Sequence, residues 1–181
     1  MKEIIIPEGT KKIDNYWFWG SGIESVSIPT SVREIGVDAF CMCKQLKRVT
    51  IAPGSQLEKL GENCFCNSGI EILTLPGAVK EVGRGAFSDC DSLKTIRLEG
   101  DHEVDFSRSE VPASTQVIFL SVTLPGGATL QDLCVTKDVV IPEGVERIGN
   151  NWFWGNRATS VVIPASVREI GGYAFYNCRS L

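Results

Sequence analysis

A short motif returns at intervals of 22 to 24 residues along most of this chain, and this repetition constrains the fold more than any other feature. Its fullest copies occupy residues 28–43, 75–90 and 163–178. In each of them Ile-Pro or Leu-Pro is followed by Val, then by Ile-Gly or Val-Gly, then by Ala-Phe, and finally by Cys. Weaker copies start at Ile6, Ile51 and Ile141. A repeat this regular predicts a stack of similar structural units.

A longer repeat is superimposed on the short one. Residues 4–43 match residues 139–178 at a constant offset of 135. Both copies contain Trp-Phe-Trp-Gly, at 17–20 and at 152–155, and the identical string Ser-Val-Arg-Glu-Ile-Gly. We infer that a block of about six short repeats has been duplicated.

The spacing of apolar residues inside one repeat predicts strands, and no segment has the apolar spacing of an ordinary helix. Before the proline the chain follows the pattern apolar-x-x-apolar-x-apolar, as at 46–51 and 93–98, with mostly β-branched residues. Proline ends the strand because it cannot donate to a ladder. A second inward-facing segment, Val-x-x-Ile-Gly, is closed by a glycine turn, and Ala-Phe-x-x-Cys turns the chain again. The sequence therefore predicts a mostly β solenoid of 22–24-residue coils, with short turns or 3-10 segments on its convex side.

The motif degenerates in the middle of the chain. Two segments there, 117–120 and 122–125, are rival candidates for a strand. We expect one solenoid domain over residues 1–181, with clear repeats over 1–98 and 136–181 and degenerate repeats over 99–135.

These repeats resemble a known family. The apolar core with a period in the low twenties is similar to a leucine-rich repeat. The string Ile-Pro-x-Ser-Val-x-x-Ile-Gly-x-x-Ala-Phe-x-x-Cys resembles the BspA-like (Treponema pallidum-type) subclass. The resemblance implies a cell-surface or secreted leucine-rich-repeat protein that adheres to host or microbial surface proteins. No signal peptide is recognised in this sequence, because Met1 is followed directly by strand-like residues.

Charge and hydropathy disfavour several classes of function. The net charge of -4 argues against nucleic acid as a partner, and no apolar run reaches the roughly 20 residues needed for membrane insertion. Neither a nucleophile elbow nor a phosphate-binding glycine loop occurs. The one histidine, His102, lies in the acidic stretch 101–105, which we interpret as a solvated loop. We therefore expect no enzymatic activity, no metal and no cofactor.

The seven cysteines admit three interpretations. Four of them occupy small core positions of the repeat: Cys43, Cys64, Cys90 and Cys178. Cys41 and Cys66 each follow a repeat Phe directly, so we expect their side chains to stack about 5 Å apart in neighbouring coils. This spacing admits a Cys41–Cys66 disulfide or, with Cys43 and Cys64, a zinc site. We favour free thiols, because packing already explains most of the positions.

Trp19 and Trp154 also admit two interpretations. Each Trp-Phe-Trp-Gly is either a variant of the core packing, which we favour, or a site where Trp19 and Trp154 form exposed aromatic platforms for a glycan or a protein.

The outward-pointing side chains of the stacked strands form the predicted binding face. One row contains Ser27, Thr50, Thr74, Arg97, Val140 and Val162, and a second contains Ser25, Arg48, Ile72, Thr95, Asp138 and Ser160. Arg48 and Arg97 stand out as contacts for acidic groups. We predict a non-enzymatic protein-binding scaffold. The alternative is a structural module in which open coil faces associate end to end.

Overall fold

The structure, a computed structural model, describes residues 2–100 and 104–181 and confirms a mostly β solenoid of stacked coils. Six coils contribute a strand of three or four residues to one sheet: Glu3–Ile5 (β1), Ser25–Ile28 (β3), Arg48–Ile51 (β5), Ile72–Leu75 (β7), Thr95–Leu98 (β9) and Gln116–Phe119 (β10). All neighbours in this sheet are parallel, in the order β1-β3-β5-β7-β9-β10. Sequence neighbours therefore stack directly on one another, as a solenoid requires.

Two-residue strands make a second parallel sheet behind the first. They are Lys12–Ile13 (β2), Glu34–Ile35 (β4), Lys59–Leu60 (β6) and Glu81–Val82 (β8). The later coils repeat both elements, with Asp138–Val140 (β11), Arg147–Ile148 (β12), Ser160–Val162 (β13) and Glu169–Ile170 (β14). There β11 pairs with β13 and β12 with β14.

The repeat phenylalanines fill the space between the two sheets. Phe18, Phe40, Phe65 and Phe87 form a column of nearly parallel rings, with centroids 5.2, 5.4 and 6.2 Å apart. The last three of these rings are fully buried. Their stacking is the main apolar contact between successive coils.

The repeat glycine is required by the close approach of coils. A Cβ on Gly36 would lie 2.8 Å from the carbonyl oxygen of Ile13, and one on Gly61 would lie 2.6 Å from the carbonyl carbon of Gly36. The backbone turns elsewhere, on either side of the phenylalanine, where Asp38 and Met42 have φ of 54° and 62°. The sequence predicted a turn at the repeat glycine, but the turn lies at the residues that flank the repeat phenylalanine.

The degenerate stretch holds one strand of the large sheet. β10 pairs with β9 along its whole length, which confirms the candidate at 117–120 to within one residue. The candidate at 122–125 is wrong, because Thr123 makes only an isolated antiparallel bridge, with Thr129.

A short helix that we did not predict follows this bridge. Helix α1 spans Leu130–Cys134 and begins with a capping box between Thr129 and Asp132. At five residues it is too short for periodicity to reveal it. Elsewhere in the described residues the connecting segments are turns and irregular chain, so the 3-10 segments do not occur.

Candidate functional site

Outward-facing residues align across the six-stranded sheet. In β7, Leu73 and Leu75 are buried, whereas Ile72 is exposed and Thr74 half-buried. Strand pairing joins the first outward position of each strand into one unbroken line: Glu3, Ser25, Arg48, Ile72, Thr95 and Gln116. We call this line the Arg48 row. It confirms the predicted alignment from Ser25 to Thr95.

The other predicted row is interrupted. Thr50 pairs with Ser27, and Thr74 pairs with Arg97. Between them, the described residues contain a single pair that joins β5 to β7, Arg48 with Ile72. Thr50 and Thr74 are 24 residues apart, as are the paired Arg48 and Ile72, so the interruption is not a shift of register.

The last two residues of each predicted row lie in a different sheet. Asp138 and Val140 belong to β11, which pairs with β13 in a two-stranded sheet of its own. The prediction of rows that continue from the first coil to Val162 is therefore wrong. The intervening helix and turns at 120–137 separate the two sheets.

Arg48 and Arg97 are both exposed but lie in different rows. Within residues 2–100 and 104–181, neither guanidinium forms an ion pair. Two nearby lysines, by contrast, share one carboxylate: Lys47 and Lys94 lie 4.0 and 3.8 Å from Glu71. The two guanidiniums are thus free to present their planar donors to an acidic partner.

Trp19 and Trp154 differ in solvent exposure. Trp19 is 56% exposed, whereas Trp154 is 3% exposed and packs against Phe106, Tyr173 and Tyr176. An exposed platform at Trp154 is therefore wrong, since its ring belongs to the core. A core role is equally wrong for Trp19, whose ring is open to solvent.

Cysteines of the repeat connect successive coils. Cys43 and Cys90 are fully buried, and their thiols donate to the carbonyl oxygens of Phe18 and Phe65 in the preceding coil, each at 2.9 Å. Cys178 is half-buried and makes the equivalent bond to Phe153. These contacts, with the complete burial of Cys64, confirm the predicted packing roles.

Cys41 and Cys66 are free thiols, like the other five. Burial, followed by the neighbouring Cys66 thiol, raises the pKa of Cys41 to about 12, and burial also raises the pKa of Cys66. Both are therefore protonated at neutral pH and are weak nucleophiles. In the described part of the chain, no three His, Cys, Asp or Glu side chains are close enough to hold a metal ion, which disfavours the zinc interpretation.

The acidic stretch around the histidine is only partly described. His102 and its neighbours 101 and 103 lie outside the described residues. Asp105 accepts a hydrogen bond from the backbone N–H of Ser107 at 2.8 Å, and its interactions with Ser107 lower the pKa of its carboxyl group. This carboxylate therefore stabilises a local turn. No helix in the described ranges is long and apolar enough to cross a membrane.

Solved bacterial structures share the fold. The pneumococcal vaccine antigen PcpA is 22% identical, with a TM-score of 0.50 over 98% of this chain and 46% of its own. A leucine-rich repeat protein from Bacteroides capillosus is 26% identical, with a TM-score of 0.48 over 54% of this chain and 77% of its own. The T. pallidum leucine-rich repeat protein is 22% identical, with a TM-score of 0.40 over 93% of this chain and 72% of its own. This chain thus spans about half the length of PcpA.

The sequence comparison gives the family directly. No curated protein sequence matches this chain significantly. The model of the BspA type leucine-rich repeat region matches 6 copies, over residues 1–105 and 128–181. Proteins built from such repeats are generally interaction scaffolds, and this chain belongs to the BspA type leucine-rich repeat family.

Proposed function

We propose that this chain is a non-enzymatic scaffold that binds a protein partner along the outer face of its six-stranded sheet. The observation that carries the proposal is the unbroken Arg48 row, with the guanidiniums of Arg48 and Arg97, which form no ion pair with the described residues, in and beside it. Thr50 and Thr74 extend this face, and the exposed ring of Trp19 in the turn after β2 is a separate aromatic candidate. Arginine and tryptophan are the residues that most often dominate protein interfaces.

Surface plasmon resonance against purified host extracellular-matrix proteins and bacterial surface proteins tests this proposal. We expect the Arg48→Glu/Arg97→Glu double variant to bind its partner at least tenfold more weakly, with an unchanged unfolding temperature. The control is Arg84→Glu, an exposed arginine outside both rows, which leaves affinity unchanged. A folded double variant with wild-type affinity removes this face from consideration.

Adhesion at a cell surface is the setting that we propose for this binding. Proteins with BspA-like repeats are often surface-associated, and PcpA is by its name a vaccine antigen. Protease treatment of intact cells of the source organism provides the test. We expect the chain to be cleaved without lysis, whereas protection until lysis contradicts a surface location.

A self-assembling role is the second candidate, and one exposed coil face favours it. Ile163 and Ile170 are 43% and 52% exposed, whereas their counterparts in the first copy, Ile28 and Ile35, are 1% and 0% exposed beneath the next coil. A further coil, of a longer chain or of another molecule, would cover them in the same way. Light scattering at rising concentration should then show association that Ile170→Lys abolishes and Ile72→Lys does not. A clean monomer contradicts this candidate.

We also propose that residues 1–181 act as one domain. The support is two hydrogen bonds across the degenerate stretch: Asn151 Nδ2 donates to the Val104 carbonyl at 2.7 Å, and the Val117 N–H donates to the Trp154 carbonyl at 3.1 Å. Urea unfolding followed by circular dichroism and by tryptophan fluorescence should give coincident transitions. Two separated transitions would divide the chain into two domains.

A further inference from the structure

A groove of about 690 Å³ crosses the outer face where β3, β5 and β7 begin. Its lining comes from three successive coils and includes Ser25, Lys44, Arg48, Glu71 and Ile72. Arg48 and Ile72 are also the pair that joins β5 to β7. The groove therefore lies where the Arg48 row is continuous but the neighbouring row is interrupted.

Ser25 in this groove has an unused hydroxyl. The residue is 5% exposed, and its Oγ has no hydrogen-bond partner in the described part of the structure. Its counterpart in the second copy, Ser160, donates to Asp138 Oδ1 at 2.6 Å. Glu3 is the residue equivalent to Asp138 and pairs with Ser25 in the sheet, but makes no such bond. Buried hydroxyls are normally satisfied, so the Ser25 hydroxyl is able to donate to an acceptor that enters the groove.

The groove lining has one more cation than carboxylates, although the chain as a whole carries -4. The lining contains the cations Lys44, Lys47 and Arg48 and the carboxylates Glu24 and Glu71. Glu71 is shared by Lys47 and by Lys94 outside the groove, at 4.0 and 3.8 Å. Arg48 is left unpaired, and a guanidinium with free donors suits a carboxylate, which it binds through two parallel hydrogen bonds.

An apolar contact lies directly beside the guanidinium. Ile72 is 43% exposed and is the cross-strand neighbour of Arg48. An extended peptide places successive side chains on opposite sides at a spacing of about 3.3 Å per residue. A carboxylate at Arg48 and an apolar side chain at Ile72 are thus both within reach of one short extended segment.

We propose that this groove binds a carboxylate side chain from an extended acidic segment of a partner protein. The carboxylate accepts hydrogen bonds from the Arg48 guanidinium and the Ser25 hydroxyl, and an apolar side chain of the same segment packs on Ile72. The inference rests on the proposed function, since it names the chemistry of the partner at that same face.

Titration of the ¹⁵N-labelled protein with an acetylated, amidated peptide of alternating Glu and Val tests the groove. We expect chemical-shift changes centred on Ser25, Arg48 and Ile72, and at least tenfold weaker binding of the peptide in which Gln replaces Glu. Arg48→Gln should weaken binding of the Glu peptide at least tenfold. Its matched control Arg84→Gln, at an exposed arginine outside the groove, should change binding less than twofold.

The serine provides a second pair of variants. Ser25→Ala should weaken binding of the Glu peptide severalfold, whereas Ser160→Ala, whose hydroxyl already has a partner, should have no effect. Equal binding of the Glu and Gln peptides overturns the proposal. An equal loss in Arg48→Gln and Arg84→Gln, or no shift at millimolar peptide, also overturns it.

The two proposals fail separately. If the peptide does not bind but the Arg48→Glu/Arg97→Glu variant still loses its protein partner, the groove inference is wrong and the scaffold proposal stands. If the peptide binds as expected and no protein partner depends on the two arginines, the groove is a carboxylate site and the proposed function is wrong.

Discussion

The two Trp-Phe-Trp-Gly segments share four residues and have opposite surroundings. In the coil of the first copy, Trp19 is 56% exposed, and the ring of Phe18 stacks on that of Phe40 in the following coil. In the second copy, Trp154 is 3% exposed, because Phe106 of the degenerate stretch packs against it from the other side. The role of a solenoid segment is therefore set by what stacks on it as well as by its own sequence.

Residues beside the shared four account for this difference. The first copy has Tyr16 where the second has Asn151, whose Nδ2 donates to the carbonyl oxygen of Val104 at 2.7 Å. Asn156 replaces a serine and donates to the carbonyl oxygen of Cys134 at 3.0 Å. These two asparagines attach the second copy to the preceding irregular segment, and the first copy has no such groups at these positions.

Truncation of the second tryptophan should give the largest contrast between the two copies. Trp154→Ala removes a fully packed ring and should lower the free energy of unfolding by about 3–5 kcal/mol. Trp19→Ala removes an exposed ring and should change it by less than about 0.5 kcal/mol. Urea denaturation of both variants is the measurement. Equal losses would mean that the two rings have the same environment.

The glycine that ends each segment should give the next largest contrast. Gly20 and Gly155 have similar φ, 64° and 67°, so an added Cβ strains both backbones alike. At Gly155 the Cβ would also collide with the carbonyl oxygen of Thr115, whereas at Gly20 nothing lies within 4 Å. We expect Gly155→Ala to cost about 1–3 kcal/mol more than Gly20→Ala. The measurement is the thermal unfolding midpoint of the two variants. Equal midpoints would contradict the close packing of Gly155.

Removal of the asparagine hydrogen bond should have a smaller effect. Asn151→Ala leaves the buried carbonyl oxygen of Val104 without its donor, at a cost of about 1–3 kcal/mol. Tyr16→Ala is the control, since Tyr16 and Asn151 both have φ of 60° and Tyr16 is exposed. Hydrogen exchange at residues 104–119 should rise in Asn151→Ala alone. Unchanged exchange would show that Asn151 does not hold this stretch.

The buried thiol of Cys134, next to these asparagine contacts, should make the free energy of unfolding depend on pH. Burial raises the pKa of Cys134 to about 12, above its ordinary value near 9. The folded state therefore holds this proton more tightly, and the resulting stability is complete below pH 9 and is lost as the pH rises towards 12. Relative to Cys134→Ala, the wild type should lose up to about 1.4 kcal/mol per pH unit above pH 9. Parallel pH profiles of the two proteins would contradict this.

Repeat spacing was enough to predict most of the fold. It gave the strand positions and the buried thiols of Cys43 and Cys90, because each of these follows from one residue type returning in coil after coil. The Arg48 row was predictable for the same reason. Such regular positions are where sequence and structure agree most closely.

Irregular positions were where prediction failed. The sequence signal for helix α1 is the capping pair Thr129 and Asp132, a weak signal that we did not use. The unpaired Thr50 and Thr74 have the same 24-residue spacing as the paired Arg48 and Ile72, so the repeat pattern could not reveal the break. The burial of Trp154 depends on packing against a segment that has lost the repeat, so the identical Trp-Phe-Trp-Gly strings could not distinguish it from Trp19.

Solvent exposure of the individual tryptophans tests the central comparison most directly. The chain can be labelled with 5-fluorotryptophan, and its four ¹⁹F resonances can be assigned with single Trp→Phe variants. Trp154→Phe should be tolerated for this purpose, because the Trp154 indole N–H has no partner in the described residues. With a soluble paramagnetic agent, we expect strong broadening of the Trp17 and Trp19 signals and none of the Trp154 signal. Equal broadening of Trp19 and Trp154 would contradict the account.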